Sequence, residues 1–305
     1  MEALRFGICG TGAFGRTRAR ALTALAGARV ALGWSRSAAT RQRFTDELDA
    51  PAVESWQALC ESPDVDAVLV CSTNVDHFPH ARAALAAGKH VLVEVPLSMT
   101  RAQAGELAAL AEANGRVLHH GRQWRYHPEY AAFLDQTRRV GPLLFGVDHE
   151  SWDFGPSRRW NADPARVAGG RDFLAYFIPR WLEAFGEVAR VTGSQARADG
   201  WAAASVTLQF EAGGFITVSY ALGEGLGSWR QREVHGRGGS LRTESDESTV
   251  LTTADGEVRA DAGGVDLVRC ECEAFRDEIL SRRDHRPALE LDLRAMALVD
   301  EALPM

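Results

Sequence analysis

The sequence predicts an α/β fold: a doubly wound, mainly parallel sheet first, then a second α/β domain of consecutive strands joined by hairpin turns. Three observations carry this reading. Short apolar runs alternate with helix-length segments up to residue 120, a G-x-G-x-x-G turn follows the first apolar run, and strand-like alternation recurs between glycine turns from Val188 onward. The 305 residues leave room for two domains, placed at 1–120 and 121–305.

Leu4 to Cys9 is an apolar strand leading into Gly10-Thr11-Gly12-Ala13-Phe14-Gly15, and Arg16 to Leu25 behind it is helical. That order suits a dinucleotide. Gly10 permits the tight turn, Gly12 lets the backbone approach a pyrophosphate, and Gly15 lets the helix pack close to the strand. The helix then presents unpaired N–H groups and its positive end to the phosphates. Strand Ala28 to Trp34 ends in Ser35-Arg36-Ser37, where the residue contacting the adenosine ribose belongs. Two hydroxyls and a guanidinium, rather than a carboxylate, suit a 2′-phosphate and favour NADP over NAD.

Helix Ala38 to Leu48 and a helical piece near Trp56 precede strand Ala67 to Cys71. Helix Asp76 to Ala87 is stopped by Gly88, as glycine stops helices just past their last turn. Strand His90 to Glu94 follows, then helix Arg101 to Asn114 with the capping box Thr100-Arg101-Ala102-Gln103, and strand Arg116 to His120. Ligands on such sheets bind outside the carboxyl ends of the strands. That rule selects Ser72, Thr73 and Asn74, then Glu94, Val95 and Pro96, and finally His119 and His120, as the groups facing a nicotinamide. By alternation one of the two histidines faces the core and the other the cleft.

Composition narrows the class. A net charge of −7 argues against nucleic acid as the main partner. No apolar stretch approaches the length of a membrane span and nothing at the amino terminus resembles a signal peptide, which points to the cytosol. The cysteines, at 9, 60, 71, 270 and 272, have no metal-ligand spacing. Lys89 is the only lysine, so any task requiring an ammonium falls to it or to nothing.

Several ordered motifs resemble the glucose–fructose oxidoreductase/inositol dehydrogenase (Gfo/Idh/MocA) family. They are the glycine turn, Val65-Asp66-Ala67-Val68, His77, the run Ala84-Leu85-Ala86-Ala87-Gly88-Lys89-His90-Val91-Leu92-Val93-Glu94, Pro96-Leu97, Arg125-Tyr126-His127-Pro128 and Gly169-Gly170. The resemblance implies a Rossmann domain, a second domain on a largely antiparallel open sheet, and NAD(P)-dependent oxidation or reduction of a small molecule. It places His77 among the cofactor-domain positions, and His77 and His90 read as structural.

Two positions depart from the pattern. The family's Glu-Lys-Pro is Glu94-Val95-Pro96 here, and valine can neither move a proton nor stabilise an alkoxide. A similar replacement occurs in relatives resembling biliverdin reductases. Where the family usually ends Asp-x-x-x-His, this chain has Asp172 and Tyr176. They lie one helical turn apart and so share a face. The resemblance makes Tyr176 the proton donor and Asp172 its orienting partner, although Tyr176 also fits a packed aromatic.

Beyond the glycine-led connector come helix Glu129 to Arg139 and strand Leu143 to Trp152. His120, Gln123, Arg125, Arg159 and Trp160 are candidate substrate contacts, the last two on a long polar and aromatic loop. Helix Asp172 to Phe185, five strands from Val188 to Thr243, helix Val265 to Arg283 and a short helix Leu293 to Leu303 complete the chain. One uncovered face of that sheet suggests a homodimer. Three functions stay open: hydride transfer, non-redox chemistry on the same scaffold, and nucleotide binding without turnover. Loss of the lysine keeps the last two alive and shifts the first toward an electron-poor C=N or conjugated C=C.

Overall fold

The structure, a computed structural model, describes residues 3–128, 130–153, 163, 171–244, 248–261 and 263–304. It forms two compact units, one of Met1–Tyr126 with Asp266–Glu290, the other of His127–Val265 with Leu291–Met305. The single boundary expected near residue 120 therefore gives way to a discontinuous division.

In the first unit, β1 (Leu4–Cys9), β2 (Ala28–Trp34), β3 (Ala67–Val70), β4 (His90–Val93) and β5 (Leu118–His120) pair in the order β2-β1-β3-β4-β5, every neighbour parallel. All four residues of β3 are buried, the continuous apolar run of a strand covered on both faces. Chain order reverses between β1 and β3, which puts the ligand crevice outside their carboxyl ends.

The connecting helices are α1 (Ala13–Thr23), α2 (Ala38–Leu48), α3 (Trp56–Glu61), α4 (Asn74–Ala86) and α5 (Arg101–Ala113). Helix α1 starts three residues earlier than Arg16, with Gly12 as its N-cap. Ser37 caps α2 and Thr100 caps α5 through side-chain oxygens that accept backbone N–H bonds. Gln103 reaches back as a capping box requires, but accepts from Met99 N, one residue before the cap itself.

Helix α8 (Leu267–Ile279) is read from sequence as part of the second domain, yet it packs in the first unit. Its Cys272 and Phe275 join Phe6, Ile8 and Leu22 in one buried cluster. Its polar side is equally committed. Glu271 pairs with Arg18 of α1, and Glu278 Oε2 lies 2.6 Å from His119 Nδ1.

The second unit holds α6 (Tyr130–Arg139), β6 (Leu143–Asp153), α7 (Arg171–Phe185), β7 (Val188–Ala198), β8 (Trp201–Phe210), β9 (Phe215–Gly223), β10 (Trp229–Gly236), β11 (Gly239–Thr243), β12 (Thr249–Thr253) and β13 (Gly256–Ala260), while α9 (Arg286–Ala302) crosses into it at residue 291. The strands form one sheet ordered β13-β12-β11-β10-β6-β9-β8-β7, antiparallel throughout except for β6 with β9. Strands β12 and β13 are absent from the sequence reading, because β13 is exposed along nearly its whole length and carries no alternation.

Alternation in β8 and β9 is strict. Val206, Leu208, Val218 and Tyr220 are buried, while Ser205 with Ser219 and Thr207 with Thr217 join hydroxyls across the opposite face at 2.7 and 3.0 Å. Helix α7 packs over the buried face, where Phe173 stacks on Tyr220 with centroids 4.4 Å apart.

The His119–Glu278 contact makes the attachment of α8 an expected point of pH dependence. Burial by itself disfavours a charged His119 ring, but Glu278 and Glu271 outweigh it and push its pKa up to about 9. A raised folded-state pKa stabilises the fold fully below the ordinary imidazole value near 6.5, and that stability is lost as pH rises through 9. The contribution is ~3 kcal/mol. In denaturant titrations the stability gap between wild type and His119→Gln should be widest near pH 6 and shrink steadily toward pH 9.5; a gap independent of pH would refute the charged pair.

Candidate functional site

The glycine turn closes onto the end of β3. Gly10 has φ +109°, and a Cβ on it would strike the Cys71 backbone; a Cβ on Gly15 would collide with the Gly10 carbonyl. Nothing lies within 4 Å of a Cβ position on Gly12. Two glycines are thus required by packing, and the third leaves an open approach to the start of α1. Thr11 is fully buried, with an Oγ1 that has no hydrogen-bond partner among the described residues. Ala13 and the exposed Phe14 begin the helix, and Arg16 Nη1 donates to the Thr11 carbonyl at 3.1 Å. A pyrophosphate fits this cradle: open backbone at Gly12, a helix amino terminus, and no acidic residue in the first turn.

Ser35, Arg36 and Ser37 follow β2. The Ser37 hydroxyl is occupied as the α2 cap. Arg36 is largely exposed and its Nη2 lies 2.9 Å from Asp76 Oδ2, while Arg41 donates to the carbonyl of Ser35. The Thr73 hydroxyl also bonds Asp76, so one carboxylate links the turn after β2 to the amino end of α4.

His77 clamps the next two turns together. Its Nδ1 lies 2.7 Å from the Pro96 carbonyl and its Nε2 3.1 Å from the Ser72 carbonyl. Burial lowers its pKa, and a neutral ring donates to only one of these oxygens. His80 Nδ1 sits 3.0 Å from Ser72 Oγ. Asn74 is buried in the first turn of α4, two residues ahead of the expected helix start. The Val95–Pro96 peptide is cis.

Glu94, at the end of β4, accepts from Arg18 Nε at 2.6 Å. Arg18 is wholly buried and bonds Glu271 as well, so one guanidinium serves two carboxylates. Burial pushes Glu94 up, whereas Arg18 and His119 overcome burial at Glu271 and hold it down. Neither Arg18 nor Glu271 is singled out by sequence, because an arginine in an alanine-rich helix reads as solvent-facing. His119 is the histidine that turns to α8; His120 is buried on the alternate side of β5. Gln123 and Arg125 lie in a 3₁₀ turn, Gln123–Tyr126, both half-buried.

In the second unit, Asp172 is buried in the first turn of α7 and Tyr176 is half-buried one turn later. Below α7 the sheet carries two cross-strand ion pairs that sequence does not reveal. Arg230 of β10 faces Glu150 of β6 with bonds of 3.0 and 2.7 Å, and Arg232 faces Asp148 at 3.3 Å. Asp148 also accepts from Trp181 Nε1 at 3.0 Å, and Arg180 Nη1 lies 3.9 Å away. Arg159, Trp160 and Gly169-Gly170 lie outside the described residues. Among those described, no group of His, Cys, Asp and Glu could hold a metal ion.

Residues 4–122 match the family described as oxidoreductase, NAD-binding Rossmann fold, GFO_IDH_MocA. The chain is 37% identical over 136 residues to dTDP-3,4-didehydro-2,6-dideoxy-alpha-D-glucose 3-reductase of Streptomyces antibioticus, covering 44% of this chain and 42% of that one. To inositol 2-dehydrogenase of Paracoccus denitrificans it is 34% identical over 154 residues, 48% and 46% of the two chains. These matches span less than half of each curated relative. Biliverdin reductase of Synechocystis, crystallised with biliverdin and NADP+, superposes with a TM-score of 0.86 at 26% identity over 98% of both chains. Over residues 4–122, the stretch built on that glycine cradle, the chain thus matches the Gfo/Idh/MocA family of oxidoreductases.

Proposed function

We propose that the protein is an NAD(P)-dependent oxidoreductase that moves hydride between a nicotinamide and a small-molecule substrate. The observation that carries the reading is the cradle at the β1–β3 reversal, where Gly10 and Gly15 are demanded by packing and Gly12 stays open. The bound nucleotide supplies or accepts the hydride. The chain holds the phosphates on the α1 amino terminus, and the turns joined by His77 frame the far end of the crevice with Ser72, Asn74, Glu94 and Pro96. Tyr176 supplies the proton that a reduced substrate requires, its O–H bond breaking as the acceptor atom gains electrons, and Asp172 orients it.

Valine at position 95 favours reduction of an electron-poor C=N or conjugated C=C, which asks for less alkoxide stabilisation than alcohol oxidation does. Similarity to a reductase crystallised with biliverdin supports the same class. The alternatives, non-redox chemistry or binding alone, are separated from this reading by whether NADPH is consumed one for one with product. NADP is favoured over NAD because Arg36 stands exposed beside the positive end of α2, where a 2′-phosphate can draw it from Asp76. Calorimetry should show Arg36→Ala weakening NADP+ roughly 10-fold or more while leaving NAD+ nearly unchanged; equal losses for both would remove the NADP assignment.

With a substrate that the wild type reduces, Tyr176→Phe should lower kcat by roughly 10²- to 10⁴-fold without weakening NADPH. Full turnover in that variant would end the donor role. The open sheet face, with exposed Phe145 and Phe215 side by side on β6 and β9, is the expected dimer surface. Light scattering at micromolar concentration should give twice the chain mass, and Phe145→Asp should return it to one. Among the described residues no helix is long and apolar enough to cross a membrane, and a net charge of −7 disfavours nucleic acid as the main partner; a cytosolic location belongs to the same proposal.

A further inference from the structure

The chain has one ammonium to offer, and it is committed: Lys89 Nζ donates to the carbonyls of Ser62 and Val65, 2.8 Å each. A permanently charged partner for the phenolate left after proton transfer can then only be an arginine. On the second unit the geometry selects one.

Side chains of helix α7 reach strand β6 at two points. Arg180 and Trp181 reach Asp148, whose cross-strand partner is Arg232. Toward the helix amino terminus Phe173 faces Trp152, with centroids 6.2 Å apart, and Tyr220, the β9 neighbour of Glu150. Tyr176 lies between these anchors, one turn before Arg180. A helical turn rises about 5.4 Å, and two strand residues advance about 6.8 Å, so stepping from Arg180 to Tyr176 matches stepping from the Asp148–Arg232 pair to Glu150–Arg230. This spacing brings Tyr176 level with the second ion pair, in keeping with the electrostatic effect of its oxygen on Arg230.

We propose that Arg230 is a positioning residue for Tyr176: clamped by Glu150, it holds its guanidinium toward the phenol and stabilises the phenolate left when the proton departs. The clamp is bidentate, through Nε and Nη2, and it fixes the plane of the fork with the Nη1 edge turned from the carboxylate. Trp152 Nε1 donates to the same Glu150 at 2.5 Å and so immobilises the clamp from its other side. Burial works against the charge on Arg230, and Glu150, Asp148 and the Tyr176 oxygen together raise its pKa.

Other charges face this part of the helix. From β6 come Asp148 and Glu150, from β10 Arg232, and from α7 itself Asp172 and Arg180, while Arg171 is tied to Asp300 and the Leu303 carbonyl of α9. The Tyr220 phenol lies below, pushed well above its usual range by burial and Glu150. Among them only Arg230 is held by a carboxylate one helical turn along from the Arg180 anchor.

The inference rests on Tyr176 as donor, but its test does not use turnover. The chain has four tyrosines. Labelling with ¹³Cζ-tyrosine gives four ring signals, and Tyr176→Phe identifies the one that matters. Arg230→Gln should raise the Tyr176 pKa by about one pH unit. Glu150→Gln, which removes the competing negative charge and leaves the guanidinium, should lower it. Arg230→Lys should restore most of the wild-type value. A merely structural role predicts no such reversal of sign. If Arg230→Gln does not fold, the Glu150→Gln shift alone decides; an unmoved Tyr176 signal in the folded variants overturns the proposal. Full turnover by Tyr176→Phe would instead strike the donor role and leave this coupling standing.

Discussion

One buried guanidinium holds the nucleotide-binding unit together. Arg18 leaves the helix that begins at the glycine turn, and no part of it is exposed to solvent. It must therefore be paired, because an unpaired buried charge costs several kcal/mol. Its partners are Glu94, where β4 ends, and Glu271, 253 residues downstream on α8. The helix that offers its amino terminus to phosphate, the strand end beside the cis proline and the returning helix are thereby fixed to one another. His119 extends the arrangement by holding Glu278 on the same helix. Such a cluster adds little net stability over apolar packing, but it allows only one arrangement of its parts.

The second unit follows the same logic with different elements. Two carboxylates on β6 face two arginines on β10, and Trp181 of α7 donates to one of those carboxylates. Strand alternation places these charges on the face that also carries Val218 and Tyr220, so they are buried by the same helix that buries the apolar core. The opposite face is lined by paired hydroxyls and small residues, with aromatic rings at its edge. A sheet with one face built for packing and the other smooth and half-apolar is suited to association.

The chemistry proposed for the protein follows from what its side chains can carry. Valine 95 holds no proton, and the sole lysine is bound to two carbonyl oxygens. In the proposed chemistry proton transfer falls to the Tyr176 phenol, which is a weak acid unless a cation stands near it. An arginine keeps its charge at any pH the protein meets, and a glutamate clamp fixes where that charge points at the cost of partly offsetting it.

Sequence alone determined the alternation of strands and helices in the first unit, the glycine turn and the strand ends that frame it. Those signals are local: apolar runs, caps and glycines constrain the backbone within a few residues. It also placed Tyr176 one turn from Asp172. Tertiary structure alone decided that α8 belongs with the first unit, that β12 and β13 extend the sheet, and which charges pair. Arg18 is buried only because a carboxylate arrives from each of two distant elements, and Arg230 is oriented only because β6 lies beside β10. No local pattern marks such residues, since an arginine that will meet a buried partner is spelled the same as one that will face water.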